Sequence, residues 1–140
     1  METTRRKVLM MGSGTFAVCA LTGLPAFATT TDEAIAAFTG GAEVMEGGVT
    51  LTAPEIAENG NTVPIEVDAP GAEAIIVLAA GNPNPGVATF NFGPLAASQM
   101  ASTRIRLAGT QDVVAVAKMS DGTFHRASQE VKVTIGGCGG

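Results

Sequence analysis

The sequence predicts an all-β fold, an immunoglobulin-like antiparallel β-sandwich with a short N-terminal helix, and three observations carry that reading. About seven short runs of β-forming residues recur between Val49 and Ile135. Glycine, proline, asparagine and aspartate clusters separate them at regular spacing, and only one short segment has a helical signature. Third, the chain has no Trp or Tyr, so its core must be built from small aliphatic side chains and the six Phe residues. No internal repeat is visible.

The helical segment comes first. Thr30-Thr31-Asp32-Glu33 has the form of a capping box, and Ala34 to Phe38 continue it until Gly40-Gly41. An extension through Ala42 to Met45, ahead of Gly47-Gly48, is a further option. The strands follow. Val49 to Thr52 and Val63 to Asp68 alternate apolar and polar residues, and Pro64 suits an edge or the start of a strand. Ala74 to Leu78 is continuously apolar, as a central strand would be. The turn cluster Gly81-Asn82-Pro83-Asn84-Pro85-Gly86 precedes a run from Val87 to Phe92. Arg104 to Leu107 alternates and is closed by Gly109 to Asp112, and Val113 to Met119 comes next. Asp121-Gly122 marks a hairpin into a long last strand, with Val131, Val133 and Ile135 expected on the core face and Lys132 and Thr134 facing out.

The first 28 residues read as an address. Arg5-Arg6 stands before an apolar run diluted by Gly12, Gly14 and Gly23, and Ala26-Phe27-Ala28 offers a small-x-small cleavage site. This resembles a twin-arginine signal for the Tat exporter, which moves folded proteins. A general secretory signal, or lipidation at Cys19 after an unsuitable Val18, are the alternatives. The expected division is therefore 1–28 signal, 29–135 sandwich and 136–140 arm, with a periplasmic location. Removing the signal leaves five basic and twelve acidic residues, a formal charge of −7. That balance argues against a nucleic-acid surface, which needs clustered Lys and Arg. The mature chain has no apolar stretch of membrane-spanning length. Neither a metal site nor a cofactor is expected.

Cys19 leaves with the signal, so Cys138 is the single cysteine of the mature chain and no internal disulfide is possible. In an oxidising compartment an odd thiol calls for an explanation. Gly136, Gly137, Gly139 and Gly140 flank it with no side chain to pack or shield it. Such a tail reads as a flexible arm, and three residues from Ile135 span roughly 10 Å when extended, enough to enter a cleft of another protein. An unperturbed thiol has a pKa of about 8.5, and nothing in the arm would activate it further. Cys138 therefore reads as a point of covalent substrate attachment whose activation comes from partners. His125, the sole histidine, reads as an ordinary strand residue.

The ending Val131-Lys132-Val133-Thr134-Ile135-Gly136-Gly137-Cys138-Gly139-Gly140 resembles that of the SoxY family, and Pro54 to Pro64 resembles the segment leading into an early strand there. The resemblance spans the mature chain. It implies a non-enzymatic carrier in thiosulfate oxidation, paired with SoxZ as a heterodimer or heterotetramer. The cysteine would bear the sulfur adduct, with SoxXA loading thiosulfate onto it oxidatively, SoxB releasing sulfate, and sulfane dehydrogenase oxidising the remaining sulfur. Three rivals stand beside it: a thiocarboxylate donor acting through the Gly139-Gly140 terminus, a structural module dimerised through Cys138, and a thiol oxidoreductase. The first needs ATP, and the last lacks a Cys-x-x-Cys pair.

Overall fold

A computed structural model describes residues 30–137. The signal segment 1–28 and the tail residues Cys138, Gly139 and Gly140 lie outside the described residues. Helix α1 (Thr31–Thr39) opens the fold. Thr30 caps it: its hydroxyl accepts the Glu33 N–H at 3.2 Å, while the Glu33 carboxylate accepts the Thr30 N–H at 2.8 Å. Gly40 ends it in the left-handed region at φ 67°, where a side chain would be strained.

Nine strands follow: β1 (Val44–Glu46), β2 (Thr50–Thr52), β3 (Ile56–Asn59), β4 (Val63–Asp68), β5 (Ala72–Ala79), β6 (Gly86–Asn91), β7 (Met100–Ile105), β8 (Gln111–Met119) and β9 (Phe124–Ile135). The larger sheet runs β1-β9-β8-β5-β6, with β3 added to the end of β9, and the smaller runs β2-β4-β7. Most pairings are antiparallel, as expected of the sandwich. Two are not: β1 pairs in parallel with Phe124, His125 and Arg126, and β3 in parallel with Lys132, Val133 and Ile135. The chain therefore crosses between sheets at each of its first strands, laying two early strands along the last one.

The larger sheet is covered on both faces. Ile75, Val77, Ala79, Val113, Ala115 and Val131 meet Val63, Ile65, Val67 and Leu107 between the sheets. On the opposite face Leu78, Val114 and Val116 pack under Ala34, Ile35 and Phe38 of α1. The Phe38 and Phe124 rings meet edge-on at 5.9 Å. Two-sided burial is why β5 and β8 are apolar throughout instead of alternating. The Asp121-Gly122 turn forms as expected, with Asp121 Oδ1 accepting both the Thr123 hydroxyl at 2.6 Å and the Thr123 N–H at 2.9 Å. These bonds, the hydroxyl first, hold the exposed Asp121 carboxyl below its ordinary range.

Several expectations are corrected. Residues 42–45 do not lengthen the helix; Val44 to Glu46 pair with β9 instead. The strand placed at Arg104 to Leu107 begins at Met100 and ends at Ile105, because Arg106 to Gly109 leave the ladder for side-chain partners described below. Pro64 lies inside β4, which is central, but β2 reaches only Glu66, so nothing pairs with that flank of Pro64. Ile135 is 65% exposed and off the core, since β8 stops opposite Val131 and β9 runs on beyond the sandwich.

Phe38→Ala should cost about 2 kcal/mol by urea unfolding, because it uncovers Leu78 and Val116 and loses the Phe124 contact. A loss below a few tenths would mean that α1 is not part of the core. For Asp121→Asn the pH sign follows from a carboxyl pKa lowered by folding. The parent's advantage should be present above the ordinary carboxylate range and vanish as pH falls through the lowered value, measurable as converging Tm values in acid.

Candidate functional site: the root of the C-terminal tail

The tail begins where β9 outruns β8. Its root is held by backbone bonds among three distant segments. Gly60 N–H donates to the Ile135 carbonyl at 2.7 Å, Leu107 N–H donates to the Gly60 carbonyl at 2.7 Å, and Gly137 N–H donates to the Leu107 carbonyl at 2.8 Å. Leu107 is fully buried and Gly137 is buried beside it. Such a clasp requires close backbone approach. A Cβ on Gly60 would fall onto the Leu107 carbonyl oxygen, one on Gly136 onto the Ala108 carbonyl oxygen, and one on Gly137 would come within 2.9 Å of the Gly60 carbonyl oxygen.

The loop that receives the tail is itself fixed from the β5–β6 turn. Asn82 is 6% exposed. It donates through Nδ2 to the Arg106 carbonyl at 2.8 Å and accepts the Ala108 N–H through Oδ1 at 2.9 Å. Gln111, 8% exposed, donates through Nε2 to Asn82 Oδ1 and to the Gly109 carbonyl, each at 2.9 Å, and accepts the Gly81 N–H at 2.8 Å. These two buried amides replace the ladder bonds that Arg106 to Gly109 give up. A parallel strand edge completes the root: Lys132 N–H bonds the Glu55 carbonyl at 2.9 Å, and Val133 N–H bonds Thr110 Oγ1 at 3.0 Å.

At the base of the expected flexible arm, Gly136 and Gly137 are closely approached by Ala108 and Gly60, and Gly137 donates a hydrogen bond to Leu107. Cys138, Gly139 and Gly140 lie outside the described residues. Gly60, Asn82, Gln111 and Leu107 were not singled out by the sequence. Asn82 sits in the Asn-Pro-Asn-Pro cluster, the one signal that could have pointed to it. His125 is packed, as expected of a strand residue: its ring lies against Gly48, and Nε2 is 3.3 Å from Thr123 Oγ1. Among the described residues no three His, Cys, Asp or Glu side chains gather as a metal-binding group.

The comparisons with known proteins bear on this tail. The family model described as "Sulfur oxidation protein SoxY" matches residues 35–138, most of the chain, and its match runs to Cys138. The chain belongs to the SoxY family. The solved structure of the sulfur carrier protein SoxY from Chlorobium limicola f thiosulfatophilum is 41% identical, with a TM-score of 0.65, covering 74% of this chain and 96% of that one. A superoxide reductase (neelaredoxin) from Ignicoccus hospitalis shares the fold at 21% identity and a TM-score of 0.55, covering 74% of this chain and 93% of its own. A likeness at that level concerns the sandwich alone. No curated protein sequence matches. SoxY membership makes this a sulfur-carrier-family chain.

Gly60→Ala should destabilise the domain by about 1–3 kcal/mol in urea unfolding, since its methyl group must displace the Leu107 carbonyl and with it the Gly137 bond. A neutral result would mean that the clasp does not form. Asn82→Ala should cost a comparable amount by leaving the Ala108 N–H without a partner.

Proposed function

We propose that this chain is a periplasmic sulfur carrier of thiosulfate oxidation that holds sulfur intermediates covalently on Cys138 while they pass between partner enzymes. The observation that carries the reading is the SoxY match running to Cys138, one residue beyond the anchored Gly137. The bonds at Gly137, the residue before Cys138, support this reading, in which the carrier turns nothing over by itself. Export by the Tat pathway after cleavage near Ala28 is supported by Arg5-Arg6 and Ala26-Phe27-Ala28.

The chemistry balances with partners supplying what the chain lacks. Loading joins the Cys138 thiol to the outer sulfur of thiosulfate, giving a cysteine S–S–sulfonate. One proton leaves and two electrons pass to the oxidising haem enzyme, SoxXA in the family. Hydrolysis by SoxB adds water across the S–sulfonate bond, releasing sulfate and leaving a persulfide on the cysteine. Where sulfane dehydrogenase is present, it oxidises that remaining sulfur. Tethering raises the local concentration of each intermediate at the next active site. A SoxZ-like subunit is the expected stable partner.

The test is intact-mass analysis of the protein recovered from cells grown on thiosulfate. Sulfur or sulfonate adducts should map to Cys138 alone and be absent from Cys138→Ser, which should also fail to support thiosulfate oxidation. Adducts on another residue, or a serine variant with full activity, would overturn the reading.

A further inference from the structure

The exported domain carries five cations on a formal charge of −7. Two of these are neutralised by carboxylates: Lys118 lies 3.9 Å from Glu73, and Arg126 lies 3.4 Å from Glu46. Lys132 makes no ion pair among the described residues but shares its cleft with Glu55 and Glu130. Among the described residues Arg106 lines no cleft with a carboxylate, and Arg104, although it also borders a larger cleft with Glu66, meets Arg106 at an acid-free one. They line one cleft of about 270 Å³ together with Asn84, Gly86, Val87 and Ile105, and no acidic side chain lines it. Neither arginine has a carboxylate within ion-pair distance among the described residues. Glu66, on the same sheet face as Arg104, accepts the Ser102 hydroxyl at 3.1 Å instead.

One wall of the cleft continues into the segment that holds Gly137. Arg104 Nη1 donates to Thr62 Oγ1 at 3.4 Å, leaving the rest of its guanidinium fork available. Arg106 has its carbonyl held by Asn82, and the next residue, Leu107, accepts the bond from Gly137. Two arginines without a carboxylate partner among the described residues bring positive charge to an acidic domain, and a guanidinium matches tetrahedral oxyanions in shape as well as charge.

We propose that the cleft between Arg104 and Arg106 is an anion site that receives the sulfonate end of a group carried on Cys138 of the same chain. It rests on the carrier reading above and adds to it a docking place for the charged end between transfers. A negative adduct on this acidic domain would otherwise meet repulsion, and the two arginines offer it compensation beside the arm's root. Free sulfate or thiosulfate carries the same oxyanion chemistry, so the tethered and free sources need separate arms of the test.

The test uses the exported protein, in whatever complex it is purified, and compares how fast Cys138 reacts with two methanethiosulfonate reagents, one bearing a sulfonate and the other a trimethylammonium group. The anionic-to-cationic rate ratio should fall about fivefold or more in Arg104→Gln/Arg106→Gln at low ionic strength, and this difference should shrink as salt screens it. Arg104→Lys/Arg106→Lys should keep most of the ratio. Lys118→Gln/Arg126→Gln removes the same net charge from paired sites and should leave it unchanged. Arg106→Gln alone replaces the double variant if that does not fold. An unchanged ratio in the arginine variants, or an equal fall in the Lys118/Arg126 control, would overturn the site. So would sulfate titrating amide shifts at Arg104 and Arg106 in Cys138→Ser with no arginine effect on the ratio, because the cleft would then take only the free ion. Adducts found on Cys138 in cells would stand under any of these failures.

Discussion

The Leu107 carbonyl and the Gly60 peptide are the interaction on which the rest of this molecule depends. Gly60 donates to Ile135 and accepts from Leu107, and Leu107 accepts from Gly137, so three segments far apart in sequence close on one another through main-chain bonds. Buried peptide groups are costly when unpaired, which makes each bond a condition for burying the others. The approach is possible because both Gly60 and Gly137 lack a Cβ at the contact. Behind it, Asn82 and Gln111 hold the receiving loop from the far side. The chain is therefore held by hydrogen bonds as far as Gly137.

The sandwich supports that point through its asymmetry. Helix α1 covers one face of the large sheet and the small sheet covers the other, so β5 and β8 are clamped from both sides. β9 is paired with β8 from Phe124 to Val131 and with β1 at its start, and its last residues, Lys132 to Ile135, run on beside β3. The strand end is thus anchored without belonging to the β8 ladder. The distribution of charge has the same logic. The domain is acidic overall, while among the described residues Arg104 and Arg106 have no carboxylate partner, and Arg106 precedes the Leu107 that holds Gly137.

Much of the sandwich was legible in the sequence, for identifiable reasons. Val63 to Asp68 alternates with period two because one face meets the core, and its bounds were read correctly. The helix cap, the apolar central strand and the Asp121-Gly122 hairpin were legible because each has a local physical cause. β1 and β3 were not, because they are short and are strands only by virtue of pairing with β9. The end of β7 was misplaced because Arg106 and Leu107 continue an alternation that Asn82 interrupts through space. Ile135 looked like a core residue because periodicity does not reveal where the neighbouring strand stops. At the tail, the pattern around Cys138 carried the family, but local glycine freedom concealed the clasp. Nothing near Gly60 in sequence announces that Leu107 and Gly137 will meet there.

Backbone ¹⁵N relaxation of the protein tests the central claim most directly, since it reads Gly136 and Gly137 one amide at a time. If the clasp fixes the tail's departure point, both should show order parameters near about 0.8, like Val131 and Val133 in the same strand. Values below about 0.6 at Gly136 and Gly137, with rigid neighbours through Ile135, would contradict it and place the beginning of a loose arm at the end of β9.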